Sequence, residues 1–269
     1  MIGKECKAHL LNRYVKKEEK ILVGSVIDKA NKTEISNHLV YTNFLDMNEK
    51  NIVVEILNRF DIRYYLFKPL QDTSRFVILF LPEYIDIENV EDIASEYIVV
   101  LKIVSKSKDV ITHREYMGAI YSLGLKEDMI GDIFVYGGNC YLFCFKQNET
   151  YILDNLTKVA KSYVDITSLN PFDDEVRKIK LNIKSIDITV PSLRIDVVLS
   201  ELFNLTRNST KAKINNSDLF VNSKEMYFAA YNVQNDDIIS FRKCGKFKIG
   251  SVQKVTKSGK IVLNIQKYI

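Results

Sequence analysis

Glycine is scarce in this chain of 269 residues: there are 10, and no Gly-rich string follows an expected strand and opens a helix. Dinucleotide and phosphate-cradling loops need such a string, so nucleotide-dependent chemistry has no visible seat. Histidine and cysteine are also few. His9, His38 and His113 are far apart in sequence, and Cys6, Cys140, Cys144 and Cys244 form no Cys-x-x-Cys pair. Cys140 and Cys144 fall in one expected strand, where an i,i+4 separation is about 13 Å, too far for a disulfide or a shared metal. No metal or cofactor is expected, and the thiols read as small core or surface groups. No apolar run approaches the roughly 18 residues of a membrane span. The opening MIGKECKAHLLNRYVKKEEK lacks the apolar stretch of a signal peptide. A cytoplasmic location without a membrane partner is the expectation.

What is present is ordinary folded-protein composition, 46% hydrophobic and 27% charged, with enough length for two or three domains. The net charge of +4 is unevenly placed. From Ser192 to the end there are 13 Lys+Arg and 6 Asp+Glu, a net +7, while the preceding 191 residues carry −3. A basic module on a slightly acidic body suggests a polyanion-binding tail.

The pattern is α+β and multi-domain, with an N-terminal α/β region over 1–85, a middle domain over 95–170 and a C-terminal domain over 190–269. Leu11, Tyr14, Val15, Leu22 and Val26 recur at helical spacing and predict one amphipathic helix. Asp46 and Glu49 form a variant capping box for a second helix. The strands IRYYLFKPL and SRFVILFLP follow, and an acidic connector, EYIDIENVEDIASE, marks a boundary. In the middle domain YIVVLKIVS is a strand, and Thr112 and Glu115 cap a helix that Gly124 can end. GDIFVY and CYLFCF are joined at Gly137-Gly138-Asn139, and a helix near 147–160 and the strand YVDIT complete β-α-β-β-α-β. This is a split βαβ, ferredoxin-like order that RNA-recognition folds use among many others. Tyr141, Phe143 and Phe145 either stack bases from the sheet or pack under the helices. No RNP1-like string accompanies them. VRKIKLNIKSIDITV reads as a strand with a lysine face, and His113, without a nucleophile nearby, as structural.

After Pro191, Ile195, Val198, Leu199 and Leu202 share one face of a short helix. Thr206 can cap a second helix carrying Arg207 and Lys211, four apart and so neighbours on its surface. Free N–H groups at that helix start favour phosphate, and Arg207 adds a bidentate donor beside them, a surface salt bridge being its alternative role. Arg194 and Asp196 either serve the RNA site, pair with each other, or cap the first helix. The strand DLFVN brings Asn222 and Lys224 to a turn, and Arg242, Lys243, Lys246 and Lys248 cluster in a final hairpin, where phosphate would relieve their mutual repulsion. The candidate RNA-binding set is thus Arg194, Thr206, Arg207, Lys211, Asn222, Lys224, Arg242, Lys243, Lys246 and Lys248. No catalytic set emerges.

LRIDVVLSELFNLTRNSTKAKINNSDLFVN resembles the ribosomal-S4-type RNA-binding domain, or alpha-L motif. Arg194, Asp196, Arg207, Ile214, Val221 and Asn222 fall at that pattern's spacing. Thr206 stands for its usual Ser and keeps the capping oxygen. Ser217 and Ser223 replace usual glycines, and Lys213 sits where an apolar residue is commoner. FLD at 44–46, SRFVILFLP at 74–82, HREYMGAIYSLGLKEDMIGDIFV at 113–135, NLTKV at 155–159 and SFRKCGKFK at 240–248 are similar to YlmH-type bacterial proteins. That resemblance implies an N-terminal α/β region, an RNA-recognition-like middle domain and a C-terminal S4-type domain. It also implies association with ribosomal RNA or tRNA, on the large ribosomal subunit, in the handling of stalled translation. A monomer is expected. Two rivals remain: an RNA-modifying enzyme that docks through its S4-type domain, and a protein-interaction module localised by a basic tail. The first would need a pseudouridine synthase, methyltransferase or tRNA synthetase signature, and the sequence carries none.

Overall fold

Two helices begin the chain where apolar spacing predicts one: α1 (Lys4–Leu11) and α2 (Lys17–Ser36). Val15, expected on the buried face, is 94% exposed. The interruption lets α1 fold back on α2, so that Leu10 joins Val23, Val26 and Ile27 in one cluster. Asn31 secures the start by accepting from Ile2 N at 2.7 Å and donating to Ile2 O at 2.9 Å. The computed structural model describes residues 2–71, 73–107, 109–180, 183–216, 218–222, 224–241 and 244–268, the side chain of Tyr268 excepted. These fall into two units, Met1–Lys180 and Leu181–Ile269.

In the first unit, β1 (Val40–Tyr41) precedes α3 (Met47–Arg59), whose capping box forms as expected. Asp46 Oδ1 accepts from Glu49 N at 2.8 Å, and Asp46 N donates to Glu49 Oε2 at 2.9 Å. β2 (Tyr64–Phe67) and β3 (Val77–Phe80) complete an antiparallel sheet of order β1-β3-β2. Val53, Ile56 and Leu57 of α3 pack with Ile78 and Phe80 in the same core as α1 and α2.

The acidic connector forms a short helix, α4 (Val90–Ser95), and the expected β-α-β-β-α-β order follows. Its elements are β4 (Ile98–Ser105), α5 (His113–Tyr121), β5 (Ile130–Tyr136), β6 (Asn139–Phe145), α6 (Glu149–Asn155) and β8 (Ser162–Leu169). α6 is shorter than predicted because β7 (Lys158–Val159) turns back to pair with Ser162 and Tyr163. The antiparallel order is β5-β6-β4-β8-β7, the ferredoxin-like arrangement. Val99, Leu101, Ile103, Cys140, Leu142 and Cys144 meet Tyr116, Ile120 and Ile152 of the helices. The sequence places Cys140 and Cys144 on one strand face, and both are free thiols in this core.

The opposite sheet face decides between the two readings of the aromatic run. Tyr141, Phe143 and Phe145 are 3%, 2% and 1% exposed, so no base can stack on them. They do not lie under α5 and α6 either. Phe44 and Tyr41 cover Phe145 at ring separations of 4.6 and 5.3 Å, and Phe67 meets Phe143 at 6.4 Å. The N-terminal region thus occupies the face that an RNA-recognition sheet would offer. Gly131 makes the approach possible: a Cβ there would stand 2.6 Å from the Phe44 ring and 2.9 Å from Phe143 Cβ. Asp132 accepts from Ser74 N at 2.9 Å and Arg75 N at 3.0 Å, and Phe44 N donates to Asp128 O at 2.9 Å. The strings FLD, SRF and GDI therefore meet at one seam.

The strand predicted from Val176 is a helix at first, α7 (Asp174–Arg177). Asp173 starts it, Arg177 pairs with Glu91 at 2.8 Å, and Ile179 is buried. Leu181 and Asn182 of that expected strand lie outside the described residues. The second unit then opens with β9 (Ile183–Val190), followed by α8 (Ile195–Phe203) and α9 (Arg207–Asn215). β10 (Leu219–Val221), β11 (Lys224–Glu225), β12 (Ile238–Phe241), β13 (Gly245–Val255) and β14 (Ile261–Tyr268) follow. All neighbours are antiparallel, in the order β11-β10-β12-β13-β14-β9. Val198 and Leu199 of α8 and Ile214 of α9 pack on Ile239, Phe247, Ile249, Leu263 and Ile265. Lys213, unusual for an apolar position, lays its ammonium over the Phe241 ring at 5.8 Å.

Candidate nucleic-acid interface

The first turn of α8 is closed to phosphate. Ile195 N donates to Tyr231 O at 2.8 Å and Asp196 N to Ala229 O at 3.3 Å. The Asp196 side chain is fully buried, and a buried carboxylate requires a partner. Arg194 supplies it, with Nε and Nη2 each donating at 3.1 Å. This fork raises the guanidinium pKa of Arg194 and commits the residue to Asp196. Of the alternatives open in the sequence, pairing is the one realised.

Arg207 is placed differently. Its Nη2 is 3.9 Å from Asp196 Oδ2, beyond a hydrogen bond, and its side chain is 58% exposed. It opens α9, where Thr206 caps as predicted by accepting from Ser209 N at 3.2 Å. Thr210, fully buried, has its hydroxyl 3.1 Å from Thr206 O and 2.9 Å from Ser200 Oγ. These bonds fix the start of α9 against α8. Arg207 is therefore held near Asp196 with more than half of its side chain exposed, and Lys211 is exposed one turn on.

Asn222 has a left-handed φ of 50°, a conformation that asparagine tolerates. Its amide is used twice inside the unit. Nδ2 donates to Asp237 Oδ1 at 2.8 Å, and Oδ1 accepts from Ile238 N at 2.9 Å. Asp237, buried, also accepts from Tyr231 OH at 2.9 Å and Gln234 N at 2.8 Å. Asn222 thus shapes the loop that exposes Lys224.

Strand direction sorts the remaining cations. β9, β10 and β13 end at the sheet edge where β11, β12 and β14 begin. Asn222, Lys224 and the approach to Arg194 gather there. The β12–β13 turn is at the other end, since Phe241 pairs with Gly245, so Lys246 is separated from Arg207. Arg242 and Lys243 lie outside the described residues. Lys248 is bound to Asp236 at 2.6 Å. Lys248, opposite Ile238 at the start of β12, lies at the end where Asn222 and Lys224 gather. Lys254, Lys257 and Lys260 are further cations of this unit with a signal in the sequence: after Asp237 the remaining 32 residues hold 8 Lys+Arg and no acid.

In the first unit, His113 Nε2 is 3.0 Å from Ile133 O, a contact that ties α5 to β5. Among the described residues, no group of three or more His, Cys, Asp or Glu is placed to hold a metal ion, and no helix is long and apolar enough to cross a membrane.

Comparison with known proteins adds three findings. A family model described as "Putative RNA-binding domain in YlmH" matches residues 95–173, which contain the ferredoxin-like sheet. A Bacillus subtilis (strain 168) protein named "Ribosome-associated protein quality control protein P2" is 23% identical over 250 residues, covering 92% of this chain and 95% of that one. A solved structure, "Cell division protein ylmH from Streptococcus pneumoniae", is 16% identical with a TM-score of 0.47, covering 58% of this chain and 93% of that chain, a likeness too weak to bear on the fold. By the family match across the middle domain and the relative spanning nearly its whole length, the chain is similar to YlmH-type proteins.

Proposed function

We propose that this protein binds structured RNA through its C-terminal unit, acting as an S4-type domain over 190–269, and docks on the large ribosomal subunit without performing chemistry there. Ribosomal RNA, tRNA or both are its partners, and handling of stalled translation is its setting. The observation that carries this reading is the contrast between two arginines beside one buried carboxylate. Arg194 satisfies Asp196 through two hydrogen bonds, while Arg207 stands at a capped helix start, more than half exposed and held by Asp196 only at ion-pair distance, where it can turn to a phosphate. The net +7 after Ser192 supplies the long-range attraction. The match of residues 95–173 to an RNA-binding family model and the ribosome-associated relative support the same reading. With the aromatic sheet face covered, the middle domain contributes RNA contacts from another surface or serves as a rigid body that presents the N-terminal region.

Sedimentation of cell extract tests the proposal. The intact chain should travel with large subunits, and a chain ending at Lys180 should move to the free fractions. If the intact chain stays at the top of the gradient even at low salt, ribosomal docking is wrong. Modified nucleotides after incubation with RNA and S-adenosylmethionine, or with no cofactor, would overturn the non-enzymatic half.

A further inference from the structure

We propose that the β13–β14 hairpin is a second phosphate-binding element, with Lys254, Lys257 and Lys260 gripping the same RNA as Arg207. This rests on the RNA-binding reading above and assigns that reading three further residues.

Geometry makes the first part of the case. β12 pairs with β13 only as far as Lys248, so residues 249–255 continue beyond it, supported on one side by β14. Register shifts between Ile249 and Val252, and between Val252 and Lys254, bend this arm. Its tip is nonetheless ordered. Thr256 N donates to Lys260 O at 2.7 Å, Lys260 N to Thr256 Oγ1 at 3.0 Å and Gly259 N to Thr256 O at 2.9 Å. Gly259 takes the φ of +78° that this turn requires. The arm is therefore a preformed finger, which loses little conformational freedom on binding.

Charge makes the second part. Lys254, Lys257 and Lys260 are exposed, and none has an ion pair among the described residues. Lysines on an open strand edge commonly serve only to block edge-to-edge pairing. That purpose accounts for Lys254. It does not account for Lys257 and Lys260, which lie in the turn, where no edge needs protection. Three uncompensated ammoniums within seven residues repel one another until an anion arrives, and a polyphosphate backbone releases its counterions on meeting them.

Position makes the third part. Val190, at the end of β9, pairs with Ile261 at the start of β14, which pairs with Val255. Arg194 follows Val190 by four residues, so their Cα atoms are at most about 14 Å apart. The finger thus rises from the sheet end where Arg194, Asp196 and Arg207 assemble. An RNA seated on Arg207 would find the finger at the same end of the sheet.

The test uses the full-length chain and a labelled RNA stem–loop, with affinity measured by fluorescence anisotropy over a salt series. The variant with Lys254→Gln, Lys257→Gln and Lys260→Gln should bind about tenfold or more weakly at low salt, and its log K against log salt slope should be shallower by about 2 to 3. Replacing the same three lysines with arginine should preserve binding. A charge-matched control, Lys17→Gln with Lys20→Gln and Lys126→Gln, should leave affinity near wild type. An unchanged slope in the hairpin variant, or an equal loss in the control, would overturn the finger while leaving RNA binding intact. A wild-type chain that binds no RNA at low salt would instead overturn the RNA-binding reading itself. Thermal melts identical to wild type would confirm that the glutamine variant is folded, and a Lys→Arg variant that binds no better than the glutamine one would also count against the proposal.

Discussion

Replacing Gly131 with alanine probes the seam that closes the middle sheet to RNA. The added Cβ would lie 2.6 Å from Phe44 Cε1 and 2.9 Å from Phe143 Cβ, distances that real contacts do not sustain. Gly131 does not occupy the left-handed region, so the cost is steric and not conformational. Both neighbours are at most 2% exposed and cannot swing into solvent. Overpacking of this kind costs about 1–3 kcal/mol. For a unit of this size about 2 kcal/mol corresponds to a fall of roughly 4–8 °C in Tm. Differential scanning calorimetry of wild type, Gly131→Ala, Phe44→Leu and the double variant forms a complete cycle. The smaller side chain should make room for the methyl, so the double variant should lose at least about 0.5 kcal/mol less than the sum of the singles. RNA affinity should not change, because the seam is no part of the proposed interface. An unchanged Tm in Gly131→Ala, or strict additivity, would mean that Phe44 is not seated on this sheet. The aromatic face would then be open to bases after all.

Three further outcomes follow from the geometry. Arg207→Ala should weaken RNA binding by about 1–3 kcal/mol with little change in Tm, whereas Arg194→Ala should lower Tm, because it strips the buried Asp196 carboxylate of its hydrogen bonds; calorimetry and RNA titration that reversed this division would exchange the two roles. Asn222→Ala should destabilise the second unit by about 1–3 kcal/mol through two lost hydrogen bonds and a left-handed backbone, measured by urea unfolding, and a neutral result would remove the clamp. Burial pushes the Cys144 thiol up to about 12 and that of Cys140 higher still, so at about pH 8 iodoacetamide should label exposed Cys6 first and spare both until the chain unfolds. Rapid labelling of Cys140 in the native protein, read by peptide mass spectrometry, would contradict the placement of its strand.

Much of the local structure was legible in the residues because its causes span only a few positions. The Asp46–Glu49 and Thr112–Glu115 boxes need three residues of separation, and both form. Gly137 and Gly138 take the positive φ angles that a tight hairpin demands. The apolar face of Ile195, Val198 and Leu199 and the cap at Thr206 likewise appear where spacing puts them. The break at residues 12–16 was not legible, since helical spacing continues through Val15 and only the return of α1 onto α2 separates them.

The interface divides the same way. Sequence alone supplied the cations, their excess after Ser192 and the arginine at a capped helix start. It also presented Arg194 beside Asp196, but the choice between solvent and carboxylate depended on the loop at 229–231 that buries Asp196. The alternation of Tyr141, Phe143 and Phe145 with Cys140, Leu142 and Cys144 showed a strand with two apolar faces, not that Phe44 would cover one of them. Which lysines share a surface was decided by strand pairing, which put Lys246 at one end of the sheet and Lys254, Lys257 and Lys260 near the other. Side-chain chemistry and short-range hydrogen bonds are written in neighbouring residues. Convergence is set by contacts between segments far apart in the chain, and only the folded sheet brings those together.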